Sequence, residues 1–240
     1  MLRGIDIHSH VVPENFPPYI GSKIPEQWPS MIPAHACHRS VMIGGKNYRT
    51  VSDLSWDAGK RVIELDAMGL QQQVLSPMPE LLSYWLDTHD AWQLLRYTNE
   101  RIAEMVAASN GRLLGMGGVP LQDVDLAIRE LEYLMRDLKF AGVELGSNIN
   151  GRPLGDPSLD PFFAACVELD APVFVHALRP AGMERVIGPP ALQQVLGYPT
   201  DVGLSAASML TTNLIERRPC RDASGRFQRL RLWHWQTSRR

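Results

Sequence analysis

Gly4-Ile5-Asp6-Ile7-His8-Ser9-His10, and far along the chain Pro172-Val173-Phe174-Val175-His176, are the two stretches on which the reading of the fold turns. Both are short apolar runs rich in branched residues, the pattern of buried strands, and both close on histidine. Strand side chains alternate with a period of two, so His8 and His10 share a side, roughly 6 to 7 Å apart along the strand. Two imidazoles so spaced can meet one ion through bonds of about 2.0 to 2.1 Å, neutral imidazole being the commonest protein ligand for zinc-like ions. In a parallel sheet His176 arrives at the same carboxyl edge as His8 and His10, so three histidines converge.

Working outward, further strand candidates fall at 73–76 (QVLS), 113–119 (LLGMGGV) and 142–145 (GVEL). Between them lie stretches of helical period at 58–69, 90–109, 123–138, 161–169 and 205–216. Asp123 stands where the third helix needs an N-cap, and His89 precedes another helix start. Strands separated by amphipathic helices imply βαβ units, right-handed crossovers and a parallel sheet; the class is α/β. Five such units are legible. Residues 11–55 form an irregular insertion after the first strand, with six prolines from Pro13 to Pro33, and an insertion there lies beside the edge where such folds place their active sites. It is a candidate lid.

The chain has 240 residues, 45% of them hydrophobic and 21% charged, enough to bury one sizeable core. The 24 Lys+Arg nearly cancel the 26 Asp+Glu, so no chain-wide basic field draws nucleic acid or an acidic membrane. No apolar run reaches the roughly 18 to 20 residues that span a bilayer, and the first ten residues lack the core of a signal peptide. Three cysteines (Cys37, Cys166, Cys220) without CxxC spacing fit a reducing compartment, so the cytoplasm is expected. Charge is uneven, however. Residues 217–240 carry eight arginines and one acid, net +7, against −9 for residues 1–216, which marks a boundary. His35, Cys37 and His38 mimic a small metal cluster, but they lie in a proline-rich loop without a second ligand pair and read as lid or surface. Asp6, placed by alternation on the histidines' side, is either an orienting group or a buried, hydrogen-bonded acid.

DIHSHVVP at 6–13, LSYW at 82–85, GVEL at 142–145, FVHAL at 174–178 and VGLSAASMLTTNLIERRP at 202–219 together carry a resemblance to the amidohydrolase-related family typified by aminocarboxymuconate semialdehyde decarboxylase. The resemblance covers about residues 2–219 and implies a TIM-like (β/α)8 barrel of the metal-dependent hydrolase type, of which the first five βα units are present. It implies one divalent ion, usually zinc, with His8, His10 and His176 as ligands. It also implies an acid/base histidine in an HGGG-like motif and an aspartate ligand on the eighth strand. Neither follows here, and the text after Pro219 coincides with the charge break. The expectation is a partial barrel over 1–219, ended by truncation or a change of reading frame, and an Arg-rich tail over 220–240. His234, in LWHW, lacks the glycines of the family motif.

The expected function is that of a metal-dependent decarboxylase, a carbon–carbon lyase acting on a small unsaturated or aromatic carboxylic acid, impaired by the missing parts. A hydrolase or hydratase of the same superfamily, or an inactive barrel fragment, are the alternatives, since fold and ion do not fix the reaction. Arg49 is the candidate for clamping the substrate carboxylate, because guanidinium and carboxylate pair through two parallel bonds. Ser52 stands where the decarboxylase itself often has a second arginine. Trp85 is a candidate pocket wall. Family members often dimerise, so a homodimer is expected.

Overall fold

A computed structural model describes residues 4–217, 220–221, 227–228 and 232–234. The elements in chain order are β1 (Ile5–Val11), β2 (Ser30–Pro33), β3 (His38–Ile43), β4 (Lys46–Ser52), α1 (Ala58–Met68), β5 (Gln72–Pro77), α2 (Thr88–Ala107), β6 (Leu113–Gly118) and α3 (Val124–Glu132). There follow β7 (Gly142–Gly146), β8 (Asn148–Ile149), β9 (Arg152–Pro153), α4 (Asp160–Glu168), β10 (Val173–His176), α5 (Tyr198–Thr211) and α6 (Leu214–Arg217). Three short strands close the series, β11 (Cys220–Arg221), β12 (Phe227–Gln228) and β13 (Leu232–His234). The main sheet runs β1-β5-β6-β7-β10-β13, and every pairing in it is parallel. It is the succession of five βα units expected from the sequence, the leading part of a TIM-like barrel.

The two faces of the sheet separate by residue parity. Val143, Leu145, Val173 and Val175 join Leu131, Leu134, Ile102, Phe162 and Phe163 in the large core between sheet and helices. The intervening Phe174, with Val74, Met116, Ile7 and Leu114, packs on the inner face. Fully burying one such side chain contributes about 1.5 to 3 kcal/mol, so slipping a strand by one residue would exchange both sets at heavy cost. The same parity carries His176 and Glu144 to the inner face.

Several elements differ from the sequence reading. The insertion is not irregular: β2, β3 and β4 form an antiparallel sheet, with β3 and β4 joined by Gly44-Gly45 at φ 57° and 71°. Two consecutive residues at positive φ make the tight hairpin turn whose twist matches its strands, and glycine takes that conformation without a Cβ clash. Val12, Val41, Met78 and Leu81 seal this sheet against the strand ends. The helix expected at 205–216 begins at Tyr198, with Pro199 in its first turn, and breaks at Asn213, where φ is 55°. Pro199 needs no donor there, so it opens the helix rather than preceding it. The cap of α2 is Asp87, whose carboxylate accepts from the His89 N–H, so His89 is not the cap. In the tail, β13 lies parallel beside β10, pairing Val173 with Leu232 and Val175 with His234, a strand not expected after Pro219. Its backbone occupies an edge of β10 that would otherwise be open. No helix among the described residues is long and apolar enough to cross a membrane.

Candidate metal centre

The first strand is not a regular pleat. Asp6 pairs with Gln73 and Ser9 with Leu75, so two residues of β1 face one of β5, a bulge centred on Ile7 and His8. Bulges re-aim side chains. Ile7 consequently joins the inner apolar cluster. Asp6, expected on the histidines' side, instead accepts from the Gln73 amide at 2.8 Å and from the backbone N–H of His8 at 3.0 Å. Gln73 in turn accepts from Arg61 of α1 at 2.9 Å, and Arg61 also donates to the His10 carbonyl. Asp6 thus pins the bulge through the backbone, not through an imidazole.

The bulge brings the three histidines together. The ring centroids of His8 and His10 lie 4.8 Å apart, those of His8 and His176 5.2 Å, and those of His10 and His176 5.0 Å. One ring nitrogen from each falls within 4.8 Å of the others, and among the described residues no other group of three His, Cys, Asp or Glu is so gathered. Two hydrogen bonds fix tautomers. Nδ1 of His10 lies 3.1 Å from the Pro77 carbonyl and Nδ1 of His176 lies 2.8 Å from that of Ala177. A carbonyl only accepts, so both Nδ1 atoms carry the proton and both Nε2 lone pairs remain for an ion.

The donor set fits a divalent cation. Nε2 of His8 and Nε2 of His10 are 3.1 Å apart, close to the ~3.4 Å separating two ligands held tetrahedrally about 2.1 Å from one ion. Burial holds all three imidazoles below their ordinary pKa, His10 well below and His176 near 4. For His10 and His176 the neighbouring imidazoles and Arg49 add to burial. The rings are therefore neutral at neutral pH and need shed no proton to coordinate.

Arg49 on β4 is exposed, and its charge reaches His10, His176, Tyr48 and Tyr198. Beyond its place in the β3–β4 ladder, its guanidinium makes no hydrogen bond or ion pair among the described residues, which leaves it open to a ligand anion. Tyr48 beside it is pushed by burial to about 12, so its hydroxyl stays a donor. Trp85 is placed otherwise. It lines a cavity of about 220 Å³ with Tyr84, Asn148, Asn150, Leu178 and Arg179, and the Arg179 guanidinium stacks 3.2 Å from its ring centroid. His35 and His38 stack on each other at 4.4 Å on the insertion, with the Cys37 sulfur 3.6 Å from Nδ1 of His38, away from the centre.

Two charged residues were not singled out from sequence. Arg179, three residues beyond His176, donates to Glu80 at 2.9 Å and to Gln27 at 2.9 Å, tying the loop after β10 to the insertion; its φ of 40° is uncommon for a side-chain-bearing residue. Glu144 on β7 is wholly buried, and neither carboxyl oxygen has a hydrogen-bond partner among the described residues. Burial pushes its pKa up to about 8, against a small opposing pull from the Ser76 hydroxyl. The signal for it was an acid inside an otherwise apolar strand, GVEL.

A parallel sheet carrying a histidine cluster at its carboxyl edge defines a class of metal-dependent barrel proteins, and a family model described as amidohydrolase matches residues 5–221. The chain belongs to that family. It is 34% identical over 217 residues to the 2-amino-3-carboxymuconate-6-semialdehyde decarboxylase of Dictyostelium discoideum, a match covering 90% of this chain and 60% of that protein. Among solved structures it is similar to the 5-carboxyvanillate decarboxylase of Novosphingobium aromaticivorans complexed with manganese and 4-hydroxy-3-methoxy-5-nitrobenzoic acid. That likeness has a TM-score of 0.59 at 28% identity and covers 66% of this chain and 46% of that one. The apo IDCase of Metarhizium anisopliae shares the fold, with a TM-score of 0.72 at 21% identity over 89% of this chain and 62% of that one. The chain thus spans 46% to 62% of the length of these relatives.

Proposed function

We propose that this protein is a metal-dependent decarboxylase, a carbon–carbon lyase that removes carbon dioxide from a small unsaturated or aromatic carboxylic acid. The observation that carries the reading is the set of three neutral imidazoles with ring nitrogens within 4.8 Å of one another at the strands' carboxyl edge. His8, His10 and His176 would hold the ion, and zinc is the one proposed, because imidazole suits it; manganese is the ion in the carboxyvanillate relative. Bound there, a divalent ion supplies Lewis-acid polarisation of a substrate oxygen.

The chain's own side chains supply the rest. Arg49 receives the carboxylate through two parallel N–H bonds, and Tyr48 offers a neighbouring hydroxyl. The sheet of β2, β3 and β4 packs against the strand ends through Val12, Val41, Met78 and Leu81 and so holds Arg49 within electrostatic reach of His10 and His176. Trp85 forms a wall with Arg179 on the side of β7 and β10. The protein is proposed to be a cytoplasmic homodimer; the free thiols of Cys37 and Cys166 favour that compartment.

The test is elemental analysis of the purified protein, followed by carbon dioxide release from carboxylated muconate semialdehydes and hydroxybenzoates. One ion per chain, lost in His176→Ala, and release of carbon dioxide are expected. Metal retained in the histidine variants would remove the centre from the reading, and hydrolysis without decarboxylation would replace the lyase with a hydrolase.

A further inference from the structure

Asp201 stands in the first turn of α5 and is only 6% exposed. One oxygen of its carboxyl accepts from the Ser147 hydroxyl and from the Asn148 amide at 2.9 Å, and the other accepts from the Ala181 N–H at 3.4 Å. All three donors lie at the carboxyl edge of the main sheet: Ser147 follows β7, Asn148 opens β8, and Ala181 is in the loop after β10. A buried acid that gathers donors from separate loops fixes those loops relative to one another, because each donor would be left unmet by any shift.

The segment so held carries His176. The Ser147 N–H donates to the His176 carbonyl at 2.7 Å, the Ser147 hydroxyl oxygen accepts from the Leu178 N–H at 3.0 Å, and the Asn148 amide donates to the Leu178 carbonyl at 2.9 Å. Ala177, between those points, supplies the carbonyl that takes the Nδ1 proton of His176 at 2.8 Å. The peptide that orients the ring is therefore bracketed on both sides by Ser147 and Asn148. Asp201 sets the direction of these bonds. A hydroxyl has one proton, and since that of Ser147 goes to Asp201, its lone pairs face the Leu178 N–H. The Asn148 amide divides its two protons between Asp201 and Leu178, while its own oxygen accepts from the Gly151 N–H at 2.8 Å.

We propose that Asp201 is a positioning residue of the metal centre: by fixing the Ser147 hydroxyl and the Asn148 amide it sets the main chain at 176–178, and with it the imidazole of His176. Groups that orient a ligating histidine from behind typically change metal affinity by about 10- to 100-fold when removed. Leucine at 201 has the same branching but accepts nothing. Asparagine keeps one oxygen for Ser147 and Asn148 and gives up only the long bond to Ala181. Alanine at 147 leaves the Leu178 N–H unmet. A control lies on the same helix, where Ser208 accepts from the Gly155 N–H at 3.0 Å, a bond that docks α5 without touching residues 176–178. The inference rests on the three-histidine centre proposed above, so one readout is taken without metal.

The experiment compares wild type, D201L, D201N, S147A and S208A as full chains, with thermal melts showing that each is folded. In the metal-free protein, nitrogen-resolved NMR reads the solvent exchange of the ring Nδ1 protons of His176 and His10. Titration against a chromophoric chelator then reads Zn²⁺ affinity. In D201L and S147A the His176 proton should exchange about tenfold faster and Zn²⁺ should bind about tenfold more weakly or worse. The His10 proton, held by the Pro77 carbonyl outside this network, should not change. D201N should stay within about threefold of wild type in both readouts, and S208A should match wild type in both even where its melting point falls. Unchanged His176 exchange in D201L and S147A, or equal effects in S208A, would overturn the proposal while leaving the centre intact. If D201L does not fold, S147A against S208A decides by the same criteria. A wild-type chain that takes up no Zn²⁺ would overturn the centre, and the ring protons would then decide whether Asp201 sets the imidazole.

Discussion

Replacing Glu144 by glutamine in the metal-free protein should reverse part of its stability profile with pH, and the size of the effect can be worked from the site. The carboxyl ionises near pH 8 inside the fold and near 4.5 in the unfolded chain. Between those values the folded state keeps a proton that the unfolded state releases, so stability is full below 4.5 and falls as pH rises toward 8. At about 1.4 kcal/mol per pH unit the loss approaches about 5 kcal/mol, comparable to the whole stability of many domains. His176, held near 4, acts in the opposite sense, costing stability as pH falls below 6.5. That contribution is common to both proteins and cancels in the difference. Urea unfolding followed by circular dichroism, in chelator, from pH 5 to 9, should show E144Q gaining on wild type as pH rises toward 8 and the difference levelling off above it. A difference that stays flat across the window would refute the assignment of a buried, unpaired acid.

Other outcomes follow from the same geometry. Arg49→Met should weaken binding of a carboxylate inhibitor about tenfold to a hundredfold, measured calorimetrically, and leave metal content unchanged, since a hydrogen bond to a charged group contributes about 1.5 to 3 kcal/mol. Glu130→Leu takes the acceptor from the buried Asn99 amide and from the Trp92 N–H and should cost about 1 to 3 kcal/mol in chemical denaturation, with no change in the cobalt spectrum of the centre. Because His10 and His176 protonate only well below 6.5, metal uptake should persist to more acidic pH than a free imidazole allows, as read by competition titration from pH 7 to 4.5. Gly44→Val forces a branched side chain into positive φ and should lower the melting point, at a cost of about 1 to 2 kcal/mol.

Much of this was legible in the chain because parity and period are written in it. Val173, Phe174, Val175 and His176 announce a buried strand, and once the sheet is parallel the meeting of His176 with His8 and His10 follows. What escaped depends on contacts that no local pattern encodes. The bulge at Ile7 and His8 arises from the pairing of β1 with β5 and the hold of Asp6, and it overrode the simple alternation that put Asp6 beside the histidines. The Gly44-Gly45 hairpin was readable as a turn, but six prolines upstream concealed the sheet around it. Arg49 lies far from the histidines in sequence and nears them only through that sheet. Trp85 has its place set by Arg179, a residue nearly a hundred positions away.

The carbonyls of Pro77 and Ala177, which receive the Nδ1 protons of His10 and His176, belong to the main chain. Pro77 ends β5 and Ala177 follows β10, and no side-chain substitution at either position removes its main-chain carbonyl. The protonation pattern needed for coordination is therefore inherited with the topology, and drift in the surrounding side chains can retune how tightly an ion is held long before it abolishes the capacity to hold one.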